Sequence, residues 1–155
     1  MVYLKNLGIL DSRTLIVHFL HITEGDMNII KKTGAKVCVC PRSNRNLHGS
    51  MPDIKRMIQK GIEPALGTDS LASVESLDIR DEMTFVARTY PGIKPETIFN
   101  MATIYGARAL GLEHLTGSLS PGKRADFICL PIQADNKKHI FERLIPDLGM
   151  RYCLR

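Results

Sequence analysis

The chain has 155 residues, 44% of them hydrophobic and 24% charged, with a formal charge of +5, which suits one domain with a real core and is short for two. No apolar run approaches the ~18–20 residues that span a bilayer, and the opening MVYLKNLGILDSRTL lacks a signal-peptide pattern. The basic residues are scattered, Arg42 and Arg45 being the nearest to a cluster, and no aromatic stripe interleaves with them. Composition therefore argues against membrane and nucleic-acid partners and sets a cytoplasmic location as the expectation.

In chain order, LIVHFL (15–20) is an apolar, β-branched run that predicts a strand. TEGDMNIIKKTG (23–34) predicts a helix: Thr23 caps it, Asp26 follows three residues on, Met27 and Ile30 share a face, and Gly34 stops it. KVCVC (36–40) predicts a second strand, and the polar PRSNRNLHGS (41–50) a loop. SMPDIKRMIQKG (50–61) repeats the helix grammar through Ser50, Asp53 and Gly61, and EPALGTD (63–69) predicts a third strand. The alternation describes a parallel sheet covered by helices, an α/β fold.

SLDIRDEMTFVART (76–89) reads as a helix, and the acidic cluster of Glu75, Asp78, Asp81 and Glu82 reads as a solvated face. KPETIFNMATIYGARALGL (94–112) reads as one helix with a core-facing stripe at Ile98, Met101, Ala102, Tyr105 and Ala109. GSLSPGKRADFICL (117–130) gives a Gly/Pro turn and a short strand. Beyond 133, NKKHIFERL reads as a helix and MRYCLR as a strand.

Sites in parallel sheets gather where the strands' carboxyl ends open into loops, and His18 and Asp69 both fall there. Residue types alone leave two readings open. Asp69 is a turn or cap carboxylate or a site group, and His18 is a core histidine or a site group. His21, His48, His114 and His139 read as ordinary loop or surface residues, and Ser43 and Asn44 as turn residues. Cys38, Cys40, Cys129 and Cys153 form no CxxC. Cys38 and Cys40 are expected on opposite sheet faces, so the four read as buried thiols of a reducing compartment rather than a zinc or redox pair. A GxSxG elbow, a phosphate-cradling Gly-rich loop and HExxH are all missing from the sequence.

LIVHFLHIT, VCVCPRSNRNL, PALGTDSLASVESLDIRDEM, ATIYGARALGL and GSLSPGKRADFICL, in this order and spacing, resemble the amidohydrolase superfamily over roughly residues 3–130. The similarity is to its metal-dependent deaminase and chlorohydrolase branch, with a lean toward aminofutalosine deaminases. The resemblance implies the C-terminal part of a (β/α)₈ barrel, strands six to eight with their helices over 1–115. An incomplete return into a small β-sandwich would occupy 116–155, with Gly117, Pro121, Gly122 and Asp126 as its signature.

The same resemblance implies one divalent metal, zinc or iron, and a small heterocyclic substrate that loses an amino group to water. Asp69 would be metal ligand and proton shuttle, and His18 a proton-transfer group. Ser73 and Asn44 would contact substrate, with Ser43 beside them. The branch's HxH pair and strand-five histidine are missing from these residues. The chain is therefore expected to be inactive alone and to self-associate or pair with a complementing N-terminal half. The alternatives are a non-catalytic fragment or interaction module, and a thiol-based protein using Cys38 and Cys40.

Overall fold

The computed structural model describes residues 1–132 and 137–145. Its centre is a three-stranded parallel sheet of β1 (Leu15–Val17), β2 (Lys36–Val39) and β3 (Ala65–Leu66), in that order. Val17 stands opposite Cys38, and Cys38 opposite Ala65. The strands are shorter than their apolar runs, because the backbone turns away where LIVHFL and PALGTD reach His18 and Asp69.

Local rules account for the helices. In α2 (Glu24–Thr33) Thr23 and Asp26 close a reciprocal capping box, and Gly34 ends the helix in the left-handed conformation, which glycine adopts without penalty. Asp53 caps α4 (Ile54–Gln59) by accepting from the Arg56 amide at 3.1 Å. Asp78 does the same for α5 (Ile79–Thr89), accepting from the Arg80 amide at 2.9 Å. A short α1 (Val2–Asn6) precedes β1, and α8 (Lys137–Leu144) sets Phe141 against Phe99, the rings tilted by 59° with centroids 5.4 Å apart.

Three expectations are corrected. PRSNRNLHGS is not a loop but contains α3 (Pro41–His48), with Pro41 in the first turn and Gly49 as a left-handed stop. The expected single helix over 94–112 is two, α6 (Pro95–Ala102) and α7 (Ile104–Ala109). They break at Thr103, whose φ of −129° is not helical and whose hydroxyl bonds back to the Phe99 carbonyl at 2.8 Å. The short strand expected in 117–130 does not form, and Phe127 and Ile128 are exposed. The strand expected over 150–155 lies outside the described residues.

The core lies between one sheet face and the helices. Val37, Val39 and Leu66 join Met27 and Ile30 of α2, Ile54 and Met57 of α4, Met83 and Val86 of α5, and Ile98 and Met101 of α6. Ile98 and Met101 are wholly buried, as their stripe predicts. The alternate strand positions face the other way, where Val17 is 47% exposed. Among the described residues no helix is long and apolar enough to cross a membrane.

The acidic run of α5 is not simply a solvated face. Glu82 is fully buried, and its carboxylate accepts from Arg42 Nε at 2.7 Å and from the Arg42 amide at 3.3 Å. Arg42 is buried with it and donates a further bond to the Ser76 carbonyl at 2.7 Å. One buried ion pair thus anchors the first turn of α3 to α5 across 40 residues of sequence.

Candidate active site

Two strand ends and the start of α3 converge at the carboxyl edge of the sheet. After β1 the chain continues the ladder for one bond, His18 N–H to the Cys38 carbonyl at 2.8 Å, and then kinks. His18 and Phe19 take φ values of 71° and 45°, and Asp69, past the end of β3, takes 64°. These are the non-glycine residues with positive φ among those described. Such a backbone costs about 1–3 kcal/mol per residue and persists only where its surroundings enforce it. Phe19 shows how: its side chain is buried in the core and locks the kink in place.

Asp69 is solvent-exposed, and two hydroxyls converge on its Oδ2. Ser43 Oγ donates at 2.5 Å and Ser73 Oγ at 3.2 Å, Ser73 also reaching the Ser70 carbonyl at 3.0 Å. Ser43 comes from the first turn of α3 and is fully buried; Ser73 follows Asp69 by four residues and is buried as well. The Ser43 hydrogen bond, foremost, holds the Asp69 carboxyl below the usual carboxylate range. Burial opposes this, and Ser73, the charge of His18 and the Ser70 amide add to the lowering. Asp69 is therefore an ionised acceptor at neutral pH.

His18 is fixed from the other side. Its Nδ1 lies 3.2 Å from Asn44 Oδ1. An amide oxygen only accepts, so Nδ1–H donates and Nε2 is the ring nitrogen left to exchange a proton. Asn44 is fully buried, and its own Nδ2 has no hydrogen-bond partner among the described residues. Leaving a buried donor unpaired costs about 1–3 kcal/mol, so Asn44 is not there for stability alone.

The structure therefore brings together all four site residues expected from sequence: His18 with Asn44, and Asp69 with Ser73. Ser43 is the partner whose bond to Asp69 sequence reasoning did not find. Pro41 at the helix start and Gly49 at its end were the available signals. His21, His48 and His114 are exposed, and the His139 side chain lies outside the described ones. The cleft of roughly 240 Å³ lined by Lys36, Glu63, Tyr105 and Arg108 is at the amino ends of β2 and β3, and none of the four site residues lines it.

A hydrolytic zinc takes three protein ligands and keeps a position for water. Among the described residues no three of His, Cys, Asp and Glu converge to hold a metal. The donors among the described residues do not by themselves make such a centre.

The cysteine expectation is overturned. Cys38 and Cys40 do not point to opposite faces. Residues two apart in a strand share a face, and both sulfurs lie beside Gly67, 2.9 Å and 3.4 Å from where its Cβ would stand. Cys129 is exposed rather than buried, and Cys153 lies outside the described residues.

Comparison with known proteins agrees with this architecture. Residues 2–145 match the Amidohydrolase family. The aminodeoxyfutalosine deaminase of Deinococcus radiodurans is 39% identical over 109 residues, covering 70% of this chain and 26% of that protein. The 5-methylthioadenosine/S-adenosylhomocysteine deaminase 1 of Syntrophus aciditrophicus is 35% identical, covering 97% and 35%. Among solved structures, a zinc-bound adenosine deaminase from Xanthomonas campestris superposes with a TM-score of 0.85 at 29% identity, over 96% of this chain and 36% of that one. The chain thus spans about a third of the length of the relatives it matches. It belongs to the amidohydrolase family.

Proposed function

We propose that this chain carries the proton-transfer part of a hydrolase that deaminates an amino-substituted, purine-like heterocycle. It would be built as the last three strands of a (β/α)₈ barrel over residues 1–115, with 116–155 returning toward a small sandwich. The observation that carries this reading is the Asp69 cluster. An ionised carboxylate stands on a strained backbone, two hydroxyls are gathered on one of its oxygens, and an imidazole of fixed tautomer is held nearby. Strain and orphaned polar atoms collect at sites where geometry serves chemistry rather than stability. The deaminases among the relatives supply the substrate class.

In the reaction, the oxygen of water bonds to the amino-bearing ring carbon and the C–N bond breaks. Asp69 accepts the proton that water loses and returns it to the departing nitrogen, so that ammonia leaves. His18, oriented by Asn44, assists that transfer through Nε2. Ser43 and Ser73 hold the carboxylate, and Ser73 and Asn44 face the substrate. A carboxylate held below its ordinary range is a weak base for ordinary water. The reading therefore requires a divalent metal, zinc or iron, with Asp69 as the one ligand from these residues and further ligands from other polypeptide.

The test is ammonia release from adenosine- and aminofutalosine-type nucleosides by this chain joined to, or mixed with, polypeptide supplying those ligands. Asp69→Asn abolishes turnover while the fold is retained, since Asn tolerates the left-handed backbone as Asp does. His18→Ala lowers kcat by roughly 10²–10⁴. Undiminished turnover in Asp69→Asn refutes the assignment.

A second reading, a non-catalytic interaction module, is favoured by the incomplete donor set and by the two outer strands, each of which has a single partner among the described residues. Unpaired strand edges invite pairing with another chain. This reading gains if no source of further ligands yields turnover. Under either reading the 155 residues alone are inactive, and stoichiometric zinc on a monodisperse monomer would contradict that.

A further inference from the structure

The metal-poor Asp69 cluster sits beside a different kind of donor pair. Cys38 and Cys40 lie on the sheet face away from the main core, Cys38 half-buried and Cys40 buried. Just past the end of β3 the facing residue is Gly67, and the fit is close. A Cβ at Gly67 would come within 2.9 Å of Cys38 Sγ and 3.4 Å of Cys40 Sγ. Both sulfurs therefore crowd one point, an approach that only the missing side chain permits, at a residue that no left-handed turn requires to be glycine.

We propose that Cys38 and Cys40 form a two-sulfur site for a thiophilic monovalent d¹⁰ cation, copper(I) being the biological case. The donor count selects the ion. Zinc and iron–sulfur centres want about four ligands, whereas copper(I) is satisfied by soft thiolates in low coordination, and the described residues offer no third ligand. A disulfide is the poorer outcome for this pair. It needs Cβ atoms about 3.8 Å apart, while residues i and i+2 of an extended strand are separated by twice a rise of ~3.3 Å.

Binding is balanced without a redox partner. Two S–H bonds break, two Cu–S bonds form, two protons leave to solvent, and copper stays in the +1 state. The ion enters from the half-exposed Cys38 side. The site is independent of the deaminase reading, because it uses neither Asp69 nor His18 as ligand.

The experiment titrates the reduced 155-residue chain with copper(I) anaerobically against the chelator bicinchoninate, then maps thiol alkylation by mass spectrometry. The expected result is one copper(I) per chain, with Cys38 and Cys40 protected together and Cys129 still alkylated. Cys38→Ser and Cys40→Ser each weaken binding by roughly 100-fold or more, while Cys129→Ser/Cys153→Ser leaves it unchanged. Far-UV circular dichroism checks that the variants fold. If Cys40→Ser fails to fold, the protection pattern of the unaltered chain decides. No copper(I) taken from the chelator, or copper retained by the Cys38→Ser/Cys40→Ser variant, overturns the proposal.

Discussion

Replacing Arg42 by Met tests the reasoning where the structure commits most. Glu82 has no exposed surface and Arg42 only 9% of its side chain, so water cannot substitute for a lost partner. The variant removes the Nε bond to Glu82 at 2.7 Å and the bond to the Ser76 carbonyl at 2.7 Å. The Arg42 amide, 3.3 Å from the stranded carboxylate, is all that remains. Breaking a buried pair from one side costs about 3–5 kcal/mol, a large share of the roughly 5–15 kcal/mol that holds a domain folded.

The pH dependence has a defined sign. Burial already lifts the Glu82 carboxyl above its ordinary range, outweighing Arg42, and losing Arg42 lifts it further. Between the unfolded and the raised folded pKa the native state holds a proton that the unfolded chain has released. Stability is therefore full below that window and falls as pH rises through it. Urea unfolding followed by circular dichroism should give the full deficit near neutrality and a smaller one at about pH 5. Arg42→Met/Glu82→Leu should recover most of the loss. A single-variant loss under ~1 kcal/mol, or a deficit indifferent to pH, would refute the account.

Ser43→Ala removes the foremost cause of the lowered Asp69 pKa, so the carboxyl should titrate higher, as read by carbon-detected NMR, and an unmoved titration would place the cause elsewhere. Gly117→Ala puts a Cβ 2.6 Å from that of Ala107 and 3.1 Å from Ile104 Cα, at a φ of +84°. It should cost about 1–3 kcal/mol in urea unfolding, with a wild-type midpoint as the contrary result.

The parallel sheet and the caps were legible because they follow local rules. Thr23, Asp26 and Gly34 sit where capping requires them, and Val37 and Val39 alternate with Lys36 and Cys38 as a strand must. Helix α3 was not, because its buried residues are polar: Arg42, Ser43 and Asn44 look like loop residues until Glu82, Asp69 and His18 are seen across 26 to 40 residues of sequence. Glu82 hid for the same reason among exposed acids. The site was half legible. His18 and Asp69 are flagged by standing at strand ends, whereas Ser43's bond is a tertiary fact. The thiol pair could have been read from the sequence, since a spacing of two in a strand already puts both sulfurs on one face.

The order of the sheet has a kinetic consequence. Among the described residues, strands paired in the sheet are consecutive along the chain, so the sheet closes through short crossovers and incurs little loop-closure entropy at each step. His18, Ser43, Asn44, Asp69 and Ser73 all belong to that early-closing stretch. The anchor that sets the angle of α3 does not. Glu82 arrives from α5, after β3, so during synthesis β1, β2 and β3 can be paired before the cluster's geometry is locked. In the order of assembly, the scaffold of the site comes first and its alignment last.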